Sequence, residues 1–333
     1  MIHVIVNPSG AGGAAAQTWV RVRDILKKER IAHKVHFSAK ELDIDNITRE
    51  ICGTFRKQIS GEVGSLPAVR AEEDLTLLVI GGDGTMNLAV NGIENFGRVR
   101  LGFIPCGSGN DLARSVGISK DAETELKKIL EGNVKRELDI GRVTYFDRFD
   151  PEDRPVSQEP YSRLFNISSG IGFDASICYD VSVTKVKDLL NKIRMGKLCY
   201  LTAAFHTVFA APRNKAEIRL DDRTISCEEL LLAACMNEPY EGGGFRFGPE
   251  ADATDGILDL CVGDGIRTGD FFRIFPTAYK GSHVRFDGVD VYKAREIEVK
   301  TEKPMWVHTD GEIEYKSTHV TFSLCAEKLK MLN

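Results

Sequence analysis

Apolar residues in the first third of the chain fall into short runs that alternate with segments of helical period. The first run is 4–6, halted by Asn7-Pro8-Ser9-Gly10. From 15 to 28, Trp19, Val22, Ile25 and Leu26 recur at helical spacing, which predicts an amphipathic helix. The same reading predicts strands at 34–37, 75–80 and 101–104, and helices over 46–59, after Thr85 and over 110–116. The run 75–80 is apolar almost throughout, as in a strand buried on both faces of a parallel sheet. This alternation predicts a doubly wound α/β domain with ligand loops at the carboxyl ends of its strands.

The pattern changes near Val134. Strand signals then dominate, at 137–145, 164–168, 215–220, 230–236, 257–262, 289–300 and 319–324. They predict a β-rich second domain, a sandwich or barrel-like sheet pair. Helical stretches are expected over 182–210 and 268–280. The polar segment 147–163 carries three prolines and reads as a long exposed hairpin loop. The expected domains are 1–134 and 135–317, with 318–333 packing back on the first and the active site in the cleft between the two.

Composition narrows the function classes. The chain has 333 residues, 42% hydrophobic and 28% charged, enough for two domains with ordinary cores. Its formal charge of −5 disfavours nucleic acid as a partner. Eight cysteines are scattered without a C-x-x-C pair, which points to reduced thiols in the cytoplasm rather than disulfides or zinc. Residues 1–6 are too short for a signal h-region, and no apolar run reaches transmembrane length. Contact with a membrane would come from the water side.

Three glycine-rich turns follow three strands of the first domain: 7–10, 81–85 and 107–111. Glycines let backbone approach a ligand closely, and a following helix start offers free N–H groups to phosphate. Three such turns on one sheet edge point to a nucleotide site. Neither a G-x-x-x-x-G-K-[ST] loop nor a G-x-G-x-x-G helix opening is present, so the P-loop and the ordinary Rossmann fingerprint are not supported.

These turns resemble motifs of the diacylglycerol kinase catalytic-domain family, lipid kinases that include bacterial soluble diacylglycerol kinases and eukaryotic sphingosine and ceramide kinases. Gly81-Gly-Asp-Gly-Thr-Met-Asn87 with Val90-Asn-Gly92 resembles its GGDGT-x-N…VNG signature, and 105–114 its P-x-G-[ST]-x-N-D-[FL]-A-R element. Leu138-Asp-Ile-Gly141, 166–174, Gly242-Gly-Gly244, Asp255-Gly256 and Asp310-Gly-Glu312 fit later elements. GGDGT alone is shared with NAD kinases and phosphofructokinases. The ordered set is far more specific. Leu88 departs from the pattern, standing where many relatives have Glu.

The resemblance implies roles residue by residue. Asp310 is the implied general base that accepts a proton as a lipid hydroxyl attacks the γ-phosphate of ATP. Asp139 is implied to join the ATP magnesium to that base through water, and Asp83 to organise the glycine loop and Mg2+. Asn7, Ser9, Gly10, Gly81, Gly82, Gly84, Thr85, Asn87, Gly107, Ser108, Gly109 and Asn110 would line ATP. The segment 252–257 resembles a loop that holds a second, structural Mg2+, with Asp255, Asp252 and the main chain of Ile257 as ligands. Asp-Gly and Asp-x-Gly are also ordinary turn elements.

Residues 185–197 carry Lys185, Lys187, Lys192, Arg194 and Lys197 against Asp188 alone, with Val186, Leu189, Leu190 and Ile193 interleaved. This pattern fits transient docking on anionic lipid, or equally a solvated helix packed on the core. Phe271, Phe272 and Phe275 are a second apolar candidate. The implied activity is ATP-dependent phosphorylation of a lipid hydroxyl, first of all diacylglycerol. An isoprenoid alcohol, a phosphatidylglycerol-like lipid and a sphingoid base are alternative acceptors. An NAD kinase-like metabolite kinase and a non-catalytic nucleotide- or lipid-binding regulator are the rival classes. A homodimer is compatible with the sequence, which does not determine the oligomeric state.

Overall fold

The computed structural model describes residues 1–39, 43–60, 73–183, 209 and 211–333. Two compact units emerge: Met1–Leu138 with Ala326–Asn333, and Asp139–Cys325.

The first unit is an α/β layer. Its elements are β1 (Ile2–Val6), α1 (Ala14–Lys28), β2 (His33–Phe37), α2 (Ile44–Ser60), β3 (Leu75–Gly81), α3 (Asp83–Asn91), β4 (Val99–Pro105), α4 (Asp111–Ser115), α5 (Ala122–Leu130) and β5 (Arg136–Leu138). The sheet is completed by the strand Leu329–Met331, the last of the chain, parallel to β4 and antiparallel to β5. β1 pairs in parallel with β2 and β3, and β3 in parallel with β4. Val4, Ile5 and Val6 and the stretch Leu77 to Ile80 are fully buried, as apolar strands covered on both faces must be. α1 buries Ala15, Trp19, Val22 and Leu26, the stripe its spacing predicts.

Pairing with the last strand draws 136–138 into this unit, so the boundary lies after Leu138 rather than after 134. Of the tail 318–333, only Ala326–Asn333 belongs here. α3 begins at Asp83 rather than after Thr85, because Gly82 is extended (φ −98, ψ −173) and the helix starts at the next residue.

The second unit is β-rich. It contains β6 (Gly141–Tyr145), β7 (Arg148–Phe149), β8 (Pro155–Ser157), β9 (Tyr161–Phe165), β10 (Ser168–Gly172), α6 (Phe173–Val183), β11 (Asn214–Leu220), β12 (Arg223–Met236), β13 (Leu258–Asp264), α7 (Thr268–Ile274), β14 (Val289–Ala294), β15 (Glu296–Thr309) and β16 (Glu312–Leu324). The main path is β14-β13-β12-β10-β15-β16-β6-β9. β12 and β15, each of 14 residues, both pair with β11 along one end and with β10 along the other. One ladder therefore wraps around a core that includes Ile171, Ile218, Val299 and Phe322. On another face, Phe173 of α6, Phe271 of α7 and Phe275 just after it pack a second cluster.

Several predicted elements change. The strand 137–145 divides at Asp139–Ile140, because its two halves join different sheets. The segment 147–163 is no bare loop: β7 and β8 form a hairpin, and β7 pairs with β16 through Phe149 and Lys316. The strand 289–300 breaks at Arg295, and β15 runs on to Thr309. The helix 268–280 ends at Ile274, and Pro276 turns the remainder into a 3-10 helix, Phe275–Lys280. α6 starts well before 182. The rest of the predicted helix 182–210, with the basic stretch 185–197, lies outside the described residues. Phe271 and Phe275 are core, whereas Phe272 is 38% exposed. Among the described residues, no helix is long and apolar enough to cross a membrane.

Two glycines test the packing with opposite signs. A Cβ on Gly92 would press on the carbonyl oxygen of Asp45 and lie 2.6 Å from Thr48 Cβ, whereas Gly53 within α2 has nothing within 4 Å. Gly92→Ala is expected to destabilise by about 1–3 kcal/mol through overpacking. Gly53→Ala is expected to stabilise by about 0.5–1 kcal/mol through helix propensity. Urea melts of the two variants check both signs.

Candidate active site

In the first unit, the turns after β1, β3 and β4 meet at the carboxyl edge of the sheet. Asn7 is buried and its Nδ2 reaches Thr85 Oγ1 at 3.5 Å. Ser9 Oγ donates to Asn7 Oδ1 at 2.9 Å, and Gly10 N donates to Asn7 O at 3.0 Å. A Cβ on Gly81 would lie 2.5 Å from Thr85 Cβ, and one on Gly107 would lie 2.8 Å from Gly82 Cα. Only glycine leaves room for the Thr85 side chain at the first position and for the close approach of the Gly82 and Gly107 backbones at the second. Asn110 takes a left-handed conformation (φ 51) at the start of α4 and donates from Nδ2 to Gly107 O at 2.7 Å. Its Oδ1 is buried without a hydrogen-bond partner among the described residues, an acceptor left for a ligand hydroxyl or amine.

Asp83 has a structural task. Its carboxylate accepts the N–H groups of Asp111 (3.0 Å) and Leu112 (3.3 Å), capping α4 from a neighbouring loop. Asp83 thus ties the end of the loop after β3 to the start of α4 through backbone N–H groups. Asn87, on α3, is wholly buried, with its Oδ1 accepting from Asn91 Nδ2 at 3.2 Å. Ser108 is exposed at the loop tip, and Gly109 O accepts from Arg114 Nη2 at 3.2 Å. Leu88 is core.

In the second unit, Asp310 occupies the turn between β15 and β16, with φ 49, followed by Gly311 at φ 86. Its Oδ1 accepts from Ile167 N (2.8 Å) and Ser168 N (3.1 Å), and its Oδ2 from Asn166 N (2.8 Å) and Asn166 Nδ2 (3.0 Å). Asp139 is buried, and its Oδ2 accepts from Gly256 N at 2.9 Å while its own N donates to Ala253 O at 2.6 Å. The loop 252–257 is thereby tied to Asp139. Within that loop Asp252 Oδ1 accepts from Thr254, and Asp255 Oδ1 from Ile257 N at 2.9 Å. Both carboxylates are exposed hard oxygen donors of the kind magnesium takes.

Asp174, Glu241 and His308 are the group of three buried side chains, among the described residues, whose ligand atoms lie within 4.8 Å of one another. His308 Nε2 is 3.1 Å from Asp174 Oδ2 and 3.6 Å from Glu241 Oε1. Gly170 makes this approach possible, since a Cβ there would collide with the Asp174 carboxylate.

Comparison with known proteins bears on what these sites belong to. Residues 1–143 match the model of the diacylglycerol kinase catalytic domain. Residues 174–332 match the model of the YegS C-terminal NAD kinase beta sandwich-like domain. The chain carries the catalytic domain of the diacylglycerol kinase family. Within this lipid-kinase family it is similar to YtlR of Bacillus subtilis (strain 168), provisionally named a lipid kinase: 25% identity over 93% of this chain and 92% of that protein. It is also similar to the diacylglycerol kinase of the same organism, at 28% identity over 74% of this chain and 73% of that protein. The fold matches that of a diacylglycerol kinase from Bacillus anthracis str. Sterne with a TM-score of 0.65 at 19% identity, over 99% of this chain and 96% of that chain.

Sequence reasoning passed over Asn237, His308, Asp174 and Glu241. A signal existed for two of them: His308 lies within an apolar strand run and Asn237 directly follows one. Burial lowers the pKa of His308, but the Glu241 carboxylate, the hydrogen bond to Asp174 and the charges of Asp174 and Asp310 outweigh it and raise it to about 9. A histidine raised on folding contributes stability that is complete below its unfolded value near 6.5 and lost as pH climbs through about 9. Thermal melts are therefore expected to fall between pH 6.5 and 9, and His308→Gln to flatten that fall. An equal slope in the variant would remove His308 as its source.

Proposed function

We propose that this lipid-kinase family member transfers the γ-phosphate of ATP to a lipid hydroxyl, with diacylglycerol as the acceptor and phosphatidic acid as the product. The observation that carries the nucleotide half is the contact of Gly82 with Gly107, which leaves bare backbone beside the unpartnered Asn110 Oδ1. Bare backbone at helix starts suits phosphate oxygens. Relatives named diacylglycerol kinase support the choice of acceptor.

In this reading, the loops after β1, β3 and β4 hold the nucleotide, and Asp310 takes the proton. The acceptor oxygen bonds to the γ-phosphorus as the bond to the β-bridging oxygen breaks. ADP leaves, and the hydroxyl proton passes to the Asp310 carboxylate. Three backbone N–H groups and the Asn166 side-chain amide donate to the Asp310 carboxylate. The Asn166 side-chain amide can swing aside without moving backbone, so it would yield to the incoming hydroxyl. Magnesium, when bound, would neutralise charge on the phosphates, and Asp139 and Asp83 are the carboxylates assigned to it. Asp255 and Asp252 would hold a structural ion.

Two variants test the reading with labelled ATP and diacylglycerol in mixed micelles. Asp310→Asn is expected to lower kcat on the order of 10²–10⁴-fold with ATP affinity unchanged. Gly107→Ala is expected to weaken ATP binding by roughly tenfold or more, about 1.4 kcal/mol, since its Cβ meets Gly82. Full activity in Asp310→Asn would remove the base. Transfer to NAD, with none to any lipid, would favour a soluble-metabolite kinase.

A further inference from the structure

We infer that Asn237 is a positioning residue that polarises peptide donors holding the Asp310 carboxylate and anchors the backbone of the second candidate carboxylate, Asp139. The inference rests on the lipid-kinase reading above and concerns a residue with no part in its nucleotide or proton-transfer roles.

Asn237 directly follows β12 and is wholly buried. Its Nδ2 donates to Asn166 O and to Asp139 O, both at 2.8 Å. Its backbone N donates to Ile167 O, also at 2.8 Å. Both neighbours of the side-chain nitrogen are carbonyl oxygens, so the amide can stand only this way round. Its Oδ1 has no hydrogen-bond partner among the described residues. An unpaired buried acceptor is unfavourable; here it accompanies two bonds aimed at the chemistry.

Two hydrogen-bond chains run from Asn237 to one oxygen of Asp310. In the first, Nδ2–H bonds the carbonyl of the 166–167 peptide, whose N–H, on Ile167, donates to Asp310 Oδ1 at 2.8 Å. In the second, the backbone N–H of Asn237 bonds the carbonyl of the 167–168 peptide, whose N–H, on Ser168, donates to the same oxygen at 3.1 Å. A hydrogen bond to a peptide carbonyl polarises that peptide and strengthens the bond its N–H makes. The second proton of Nδ2 meanwhile fixes the Asp139 carbonyl. A single residue thus fixes the backbone at one carboxylate and, through its side-chain and backbone N–H groups, polarises two donors that hold the other.

The two chains respond differently to substitution, which makes the inference testable. Asn237→Ala removes the side-chain chain and keeps the backbone chain. In ¹H–¹⁵N spectra of the full chain, the Ile167 amide proton is expected to move upfield while that of Ser168 stays close to its wild-type position. With diacylglycerol, kcat is expected to fall about ten- to a hundredfold, as for a misplaced reacting group, with KM for ATP unchanged. In an Asp310→Asn background the same substitution is expected to lower the residual rate little further, because residues acting as one unit are not additive. Multiplicative losses in that background, or an unmoved Ile167 amide, would overturn the inference. Should Asn237→Ala melt below the assay temperature, Asn237→Ser, which can donate one bond, is read in the same way with a smaller shift. If the wild-type chain phosphorylates no lipid, the proposed function falls, and the two amide shifts alone decide the inference.

Discussion

The second unit depends on the carboxylate of Asp310. Its turn places two successive residues at positive φ, an arrangement that ordinary side chains resist. That carboxylate also accepts every backbone N–H of the link Asn166–Ser168, where β9 gives way to β10 and ladder partners run out. Buried N–H groups left unpaired there would each be unfavourable by about 1–3 kcal/mol. One side chain therefore closes the β15–β16 hairpin onto the β9–β10 link. The group assigned to proton transfer is held by the contacts that complete the fold.

The first unit uses the same device. Asp83, just past the end of β3, satisfies the first N–H groups of α4, which follows β4. β3 and β4 are in register up to Gly81 and Pro105, so their loops leave the sheet side by side. The absence of Cβ atoms on Gly82 and Gly107 lets them touch. In each unit a carboxylate from one loop pairs with backbone donors of another, so its substitution disturbs geometry as well as charge. This is why a positioning role has to be separated from a purely structural one by non-additivity and local spectroscopy rather than by loss of activity.

Much of this was legible in the chain. The alternating runs of the first third identified the parallel sheet, because strands covered on both faces must be apolar throughout. The glycine turns were legible because close backbone approach leaves no alternative residue. Less legible were the ends of elements. Asp139 follows a strand pattern that reads as continuous from 137 to 145, yet the chain passes there from one sheet to another. The last strand, Leu329–Met331, is too short for any periodicity to reveal, and its place between β4 and β5 is fixed by pairing alone.

The sequence by itself determined the family and the candidate residues for its chemistry, since motif order and local backbone demands are written in adjacent residues. Tertiary structure decided what those residues touch. Asn166, Asn237 and the pair His308 and Asp310 come from three distant parts of the chain, and only the pairing of β10 with β12 and β15 brings their segments together. Partners made through a sheet ladder leave no local pattern, because each strand records which of its faces is buried and not which distant strand covers its edge.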